Sequence, residues 1–416
     1  MSAGREPLPT LAVACALALG TAVSLGLARF SYAMFLPPMR EDLGWSYLTA
    51  GAMNTANAAG YLAGALLAPA WLRRFGTRGA FLAGTAATAV FVAAHGLTVA
   101  DAPLYLLRFL SGLASAVSFV AGGLLAAQLV GATPATAGRT PPSAGLVLGI
   151  YYGGAGLGIV VSAVAVPLLA GRATVHAWQG GWLVLGALGG VVAAVIAAAT
   201  SGLASASARA AGPRARLAGF AWRRFLPALV AYLMFGLGYI GYMTFIVTLL
   251  REQRVAYFEV VAFYALLGVA VAVSPWLWAR MLQRFRGGET LSLMSALLVV
   301  ATLLPVWRTD PVAVFASGML FGAVMLSLVA STTALVRHNL AAADWPAGIT
   351  GFTIVFAVGQ IVGPSGVGFI ADRAGSLRAG LACSAALLAL GAVVAWWQKP
   401  LGPVNTTAAH RRSARS

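Results

Sequence analysis

GLARFSYAMF, residues 26–35, returns 210 positions later as GLGYIGYMTF, residues 236–245, with Tyr32 over Tyr242 and Phe35 over Phe245. The same offset lays WLRRFGTRG (71–79) on MLQRFRGGE (281–289). It also carries Gly149, Gly153, Gly156 and Gly158 to Gly359, Gly363, Gly366 and Gly368. One constant offset across three separated segments marks an internal repeat rather than a merely glycine-rich chain.

What repeats is a membrane unit. The 416 residues are 60% hydrophobic and only 9% charged, which excludes an ordinary soluble domain. Twelve apolar spans of about 20 residues fit between the charged stretches. They are placed at 11–36, 49–71, 80–99, 104–130, 145–170, 179–200, 225–250, 259–279, 290–307, 312–336, 348–371 and 379–398. The first is too long for a signal-peptide core and reads as a retained helix. The expected fold is an all-α membrane protein of twelve transmembrane helices in two pseudo-symmetric six-helix halves. The halves are 1–200 and 225–398, joined by a polar linker at 201–224 and followed by a basic tail at 399–416.

The net charge of +17 comes almost wholly from arginines at span ends, with Lys399 the single lysine. Alternating sides from a cytoplasmic start puts eighteen of the 27 basic residues inside and seven outside, which orients both termini inward. The pattern is that of membrane orientation, with the bilayer as partner and no nucleic acid. Near-exclusive arginine suggests a GC-rich bacterial source and hence a bacterial inner membrane. Cys15 and Cys383 lie inside apolar spans, the histidines have no metal spacing, and no Walker loop is present. No cofactor, metal or enzyme activity is expected, and the unit is expected to be a monomer. Parallel six-helix repeats with a site between them describe a secondary transporter.

The sequence resembles the major facilitator superfamily over nearly its whole length, and its first helix is similar to the YbfB/YjiJ-like branch. Arg108-Phe109-Leu110-Ser111-Gly112 looks like the RxxxG signature, whose arginine the resemblance links to proton coupling. The glycine row from Gly149 to Gly158, with Gly153 and its repeat copy Gly363, looks like the antiporter motif of helix 5. The 2–3 loop departs from the GxxxDRxGR pattern: Arg73 stands at the aspartate position, followed by Arg74, Gly76 and Arg78. The resemblance implies coupling or gating roles for Arg108, Arg74, Gly153 and Gly363. The aspartate-dependent latch is not expected. Asp372-Arg373 imitates the motif on the opposite side.

Two basic residues, Arg29 and Arg108, fall within helices, whereas all ten carboxylates fall in loops or at span ends. Arg29 lies about two turns before Pro37, where helix 1 is expected to end or bend. A charge at depth costs roughly 2.5–3.5 kcal/mol on insertion scales, so something must compensate it. Arg29 either faces a central cavity and grips an anion with its planar fork, helped by Tyr32 one turn on, or snorkels to the interface or to backbone carbonyls. Arg108 follows Asp101, so a structural pairing near the surface competes with coupling. Buried arginines without buried acids give a positive cavity, which selects anions.

Other polar groups on helices expected to line the cavity include Asn54, Asn57, Tyr239, Tyr264 and Gln360. Arg29, Tyr32, Asn57, Tyr239 and Gln360 are the expected substrate contacts. The amides also serve as interhelical glue in many membrane bundles. The expected cargo is a small organic anion, a carboxylate, carrying its own proton or exchanged for another anion. A proton-coupled efflux antiporter for hydrophobic or drug-like compounds is the alternative.

Overall fold

A helical run of 51 residues, Tyr47–Leu97, is about twice what a bilayer crossing needs. It breaks at Gly76, whose φ of 70° and ψ of 169° only glycine adopts without strain. The Trp45 indole N–H donates to Asp101 Oδ1 at 2.8 Å, so the chain entering this run and the chain leaving it meet on one side. The run is therefore a hairpin of two crossings, α2 before Gly76 and α3 after it. The computed structural model describes residues 10–132, 143–170, 174–202, 222–341 and 344–401.

With the hairpin counted as two, the eleven apolar helices among the described residues make twelve crossings and no strand. Before the hairpin, α1 is Thr10–Leu43. After it come α4 (Asp101–Ala132), α5 (Ala144–Ala170) and α6 (Ala177–Ala199). The later helices are α7 (Leu226–Glu252), α8 (Tyr257–Arg284), α9 (Glu289–Trp307), α10 (Pro311–Asn339), α11 (Trp345–Ala374) and α12 (Leu377–Trp396). The expected linker at 201–224 and tail at 399–416 lie mostly outside the described residues, at 203–221 and 402–416.

The most enclosed helices are α1 and α7, the repeat mates that carry GLARFSYAMF and GLGYIGYMTF, whereas α6 shows most of its surface outward. Apolar side chains such as Leu106, Val191 and Val312 are exposed on that outer surface, where lipid solvates them. The halves meet along two seams that only small residues permit. On α5, a Cβ at Gly156 would lie 2.2 Å from the Gly268 carbonyl of α8. On α2, a Cβ at Gly51 would lie 2.3 Å from the Pro364 carbonyl of α11.

Helix α1 departs from the sequence expectation in two ways. It continues through Pro37 and Pro38 to Leu43 and stops at left-handed Gly44, φ 65°. Both prolines line a cavity of about 450 Å³. Upstream, Ala22–Phe30 is π-helical, closed by Ser31 N–H donating to Gly26 O at 2.9 Å. Such wide turns recur at functional sites.

Candidate functional site

The π-helical stretch carries Arg29. Its side chain is only 5% exposed, which excludes snorkelling to an interface. Nε and Nη2 are buried and have no hydrogen-bond partner. These two nitrogens form the side-on fork of a guanidinium, whose parallel N–H groups match the two oxygens of a carboxylate. The cation sits 5.3 Å from the centre of the Tyr61 ring.

Arg108 differs from Arg29 in having its donors engaged. Its Nη1 donates to Ala28 O at 2.9 Å, Nη2 to Asn54 Oδ1 at 3.1 Å and Nε to Met53 O at 3.4 Å. The Tyr32 ring covers it at 4.5 Å. Asp101, the surface partner suggested by sequence, accepts from Trp45 instead. Arg108 is thus a tie between α4, α2 and the π-helical turn of α1, and it fixes the carbonyl next to Arg29.

Tyr32 belongs to that tie and not to Arg29. Its hydroxyl donates to Ala50 O at 2.9 Å, and its ring lies on Arg108. The wide turn ahead of it changes the register, so the three-residue spacing no longer puts Arg29 and Tyr32 on one face. Asn57 is also structural: its amide donates to Arg108 O at 3.1 Å and Ser111 Oγ at 3.2 Å, leaving Oδ1 without a partner. Tyr239 and Gln360 do come together, with Gln360 Nε2 donating to the Tyr239 hydroxyl. Arg29, Tyr61, Tyr239 and Gln360 therefore bring α1, α2, α7 and α11 to one place. Tyr61 was not singled out by the sequence, although 54, 57 and 61 follow the spacing of one helix face.

Polar links between the halves gather on one side of this place. Asp372 of α11 accepts from the N–H groups of Tyr47 and Leu48 at 2.9 and 2.8 Å. Glu252 of α7 accepts from the Tyr47 hydroxyl at 2.6 Å and pairs with Arg40 at 3.6 Å. Deeper in, Asn54 Nδ2 donates to Thr244 Oγ1 at 2.7 Å, and the Tyr264 hydroxyl of α8 donates to Phe30 O. On the opposite side, toward Arg74, Tyr152 is 41% exposed and Tyr61, Phe119 and Phe356 are half-buried.

The expected gating residues divide. A Cβ at Gly153 would meet Ala272 O of α8 at 3.0 Å, across the seam. Gly363 instead faces Leu237 O of α7 at 2.6 Å, within its own half. Arg74 is exposed beside the Phe75 ring at 5.6 Å, while its neighbour Arg78 reaches α6, donating to Ala197 O at 2.9 Å and Thr200 Oγ1 at 3.2 Å.

Solved structures share this architecture. A bacterial homologue of the human lysosomal transporter Spinster, inward-facing and unoccupied, matches with TM-score 0.67 at 14% identity over 93% of this chain and 95% of that one. Nucleoside transporter NupG matches with TM-score 0.66 at 14% identity, over 93% and 97%. The human organic anion transporter MFSD10 (TETRAN) matches with TM-score 0.59 at 14% identity, over 93% and 99%. At such identities the likeness shows the fold. No curated protein sequence matches. The profile of the family described as "Uncharacterised MFS-type transporter YbfB" matches residues 21–396, and the chain belongs to that family of major facilitator transporters.

Proposed function

We propose that this secondary transporter carries a small organic anion whose carboxylate sits on Arg29. The observation that carries the reading is the pair of buried, unpartnered donors on Arg29, Nε and Nη2. A buried cation without a counter-charge is costly, and a bound carboxylate offsets that cost while filling both donors. Tyr61, Tyr239 and Gln360 shape the place where the anion binds, and Arg108 positions Arg29 through Ala28 O. One fold neighbour is named for organic anion transport, which agrees with the reading; the assignment here rests on Arg29.

In this reading the halves are 1–200 and 225–398, and the Asp372 side faces outward in a bacterial inner membrane with both termini in the cytoplasm. The described state is then inward-facing. Neutralising Arg29 lowers the barrier to rocking about the α5–α8 seam, where Gly153 and Gly156 lie on Ala272 and Gly268. The described helices hold no carboxylate beside Arg29 to carry a coupling proton. A carboxylate held on the Arg29 fork carries no proton of its own, so coupling in this reading is exchange for another anion.

The aromatic side chains around Arg29 also suit the alternative, efflux of apolar or cationic drugs. Uptake into proteoliposomes separates the two. Accumulation of labelled carboxylates, lost in Arg29→Gln, is expected; transport of tetraphenylphosphonium equally by both proteins would overturn the anion reading.

A further inference from the structure

Toward Arg74, each half carries a wall of aromatic rings. On one, Tyr61 of α2, Phe119 of α4 and Tyr152 of α5 follow one another at 6.4 and 5.8 Å between ring centres. On the other, Phe356 of α11 stacks on Tyr232 and Tyr239 of α7 at 4.8 and 5.5 Å, within 19° of parallel. Arg29 lies over the Tyr61 ring of the first wall at 5.3 Å, and Gln360 of α11 donates to the Tyr239 hydroxyl of the second.

Several donors near Arg29 are already engaged. Arg108 is bonded to Ala28, Met53 and Asn54, Asn54 to Thr244, and Gln360 to Tyr239. A second carboxylate at this depth would be buried without a cation. Flat rings between facing aromatic walls gain offset-stacked contacts that saturated rings of the same size do not.

We propose that the cargo is a planar aromatic monocarboxylate, its carboxylate on the Arg29 fork and its ring between Tyr61 and Phe356. This rests on the anion reading and narrows it. The test is calorimetric titration of the detergent-purified full chain with benzoate, cyclohexanecarboxylate, acetate and phthalate, repeated in Arg29→Gln, Arg29→Lys and Phe356→Leu.

Benzoate is expected to bind about tenfold tighter than cyclohexanecarboxylate and tighter than phthalate, a gap of about 1.4 kcal/mol. Phe356→Leu is expected to bring the benzoate-to-cyclohexanecarboxylate ratio toward one. Arg29→Gln is expected to lose all four ligands, and Arg29→Lys to keep the ring preference at lower affinity. Equal affinities for the two rings, or tighter phthalate, with Arg29 still required would overturn the aromatic assignment and leave the anion reading standing. Carboxylate binding that survives Arg29→Gln, or no carboxylate binding at all, would overturn both.

Discussion

The Asp372 carboxylate sits astride the start of α2, with Oδ1 2.9 Å from the Tyr47 N–H, across the boundary between the two halves. Oδ2 takes the next N–H, from Leu48, at 2.8 Å. An acid at a helix N-terminus satisfies orphan donors and meets the positive end of the helix dipole, and such contacts are typically worth about 0.3–2 kcal/mol. Here that energy favours the state closed on the Asp372 side.

Asp372→Asn therefore shifts the population toward opening on that side. In a Cys15→Ala, Cys383→Ala background, spin labels at Glu41 and Arg373 are expected to show a larger long-distance fraction in the variant. An unchanged distance distribution would mean that Asp372 does not hold the gate.

Arg29 and Arg108 respond oppositely to neutralisation in the absence of ligand. Arg108→Gln strands Ala28 O and Asn54 Oδ1, each buried, at a cost of about 1–3 kcal/mol per group. Arg29→Gln removes a buried charge that no acceptor satisfies, so the apo protein keeps or gains stability. Thermal unfolding of both variants checks this: a lower Tm is expected for Arg108→Gln, and an equal or higher Tm for Arg29→Gln. A large loss in Arg29→Gln would mean that Arg29 is a structural tie.

The seam between α5 and α8 tolerates no side chain at its centre. Gly156→Val puts a Cβ 2.2 Å from Gly268 O and is expected to cost about 1–3 kcal/mol and to abolish transport. Gly366→Ala, with open space around the added methyl, is expected to leave Tm unchanged. Equal transport by Gly156→Val and wild type would show that the halves do not rock on this seam.

The two arginines of the 2–3 loop separate in the same way. Arg78→Ala loses both bonds to the end of α6 and is expected to lower stability by about 1–2 kcal/mol, whereas Arg74→Ala stays within about 0.5 kcal/mol of wild type. Thermal unfolding in detergent measures both.

The fold was legible because bilayer thickness imposes a length on every apolar run, and because GLARFSYAMF and GLGYIGYMTF sit at one offset. Gly76 was visible as a loop residue flanked by arginines, so the α2–α3 hairpin could be drawn from sequence. The π-helical turn was not visible. Nothing in AVSLGLARF distinguishes it from α-helix, and it displaced Tyr32 from Arg29 onto Arg108. The helix also runs past Pro37 to Leu43, because a proline removes one backbone donor without obliging the helix to stop. The sequence showed two buried arginines but not which one was satisfied, because the acceptors of Arg108 are backbone carbonyls of distant helices. Likewise Asn54–Thr244 and Tyr264–Phe30 join residues about 190 and 234 positions apart, beyond any local pattern.

The central claim is that an anion completes Arg29. Thermal unfolding of wild type and Arg29→Gln against carboxylates, sulfonates, sugars and lipophilic cations tests it most directly. A ligand that binds only the folded state adds about 2.7 kcal/mol at a hundredfold excess over its Kd. The account predicts that carboxylates raise the wild-type Tm and leave Arg29→Gln unmoved. Stabilisation by cations or apolar compounds equally in both proteins, with none by carboxylates, would contradict it.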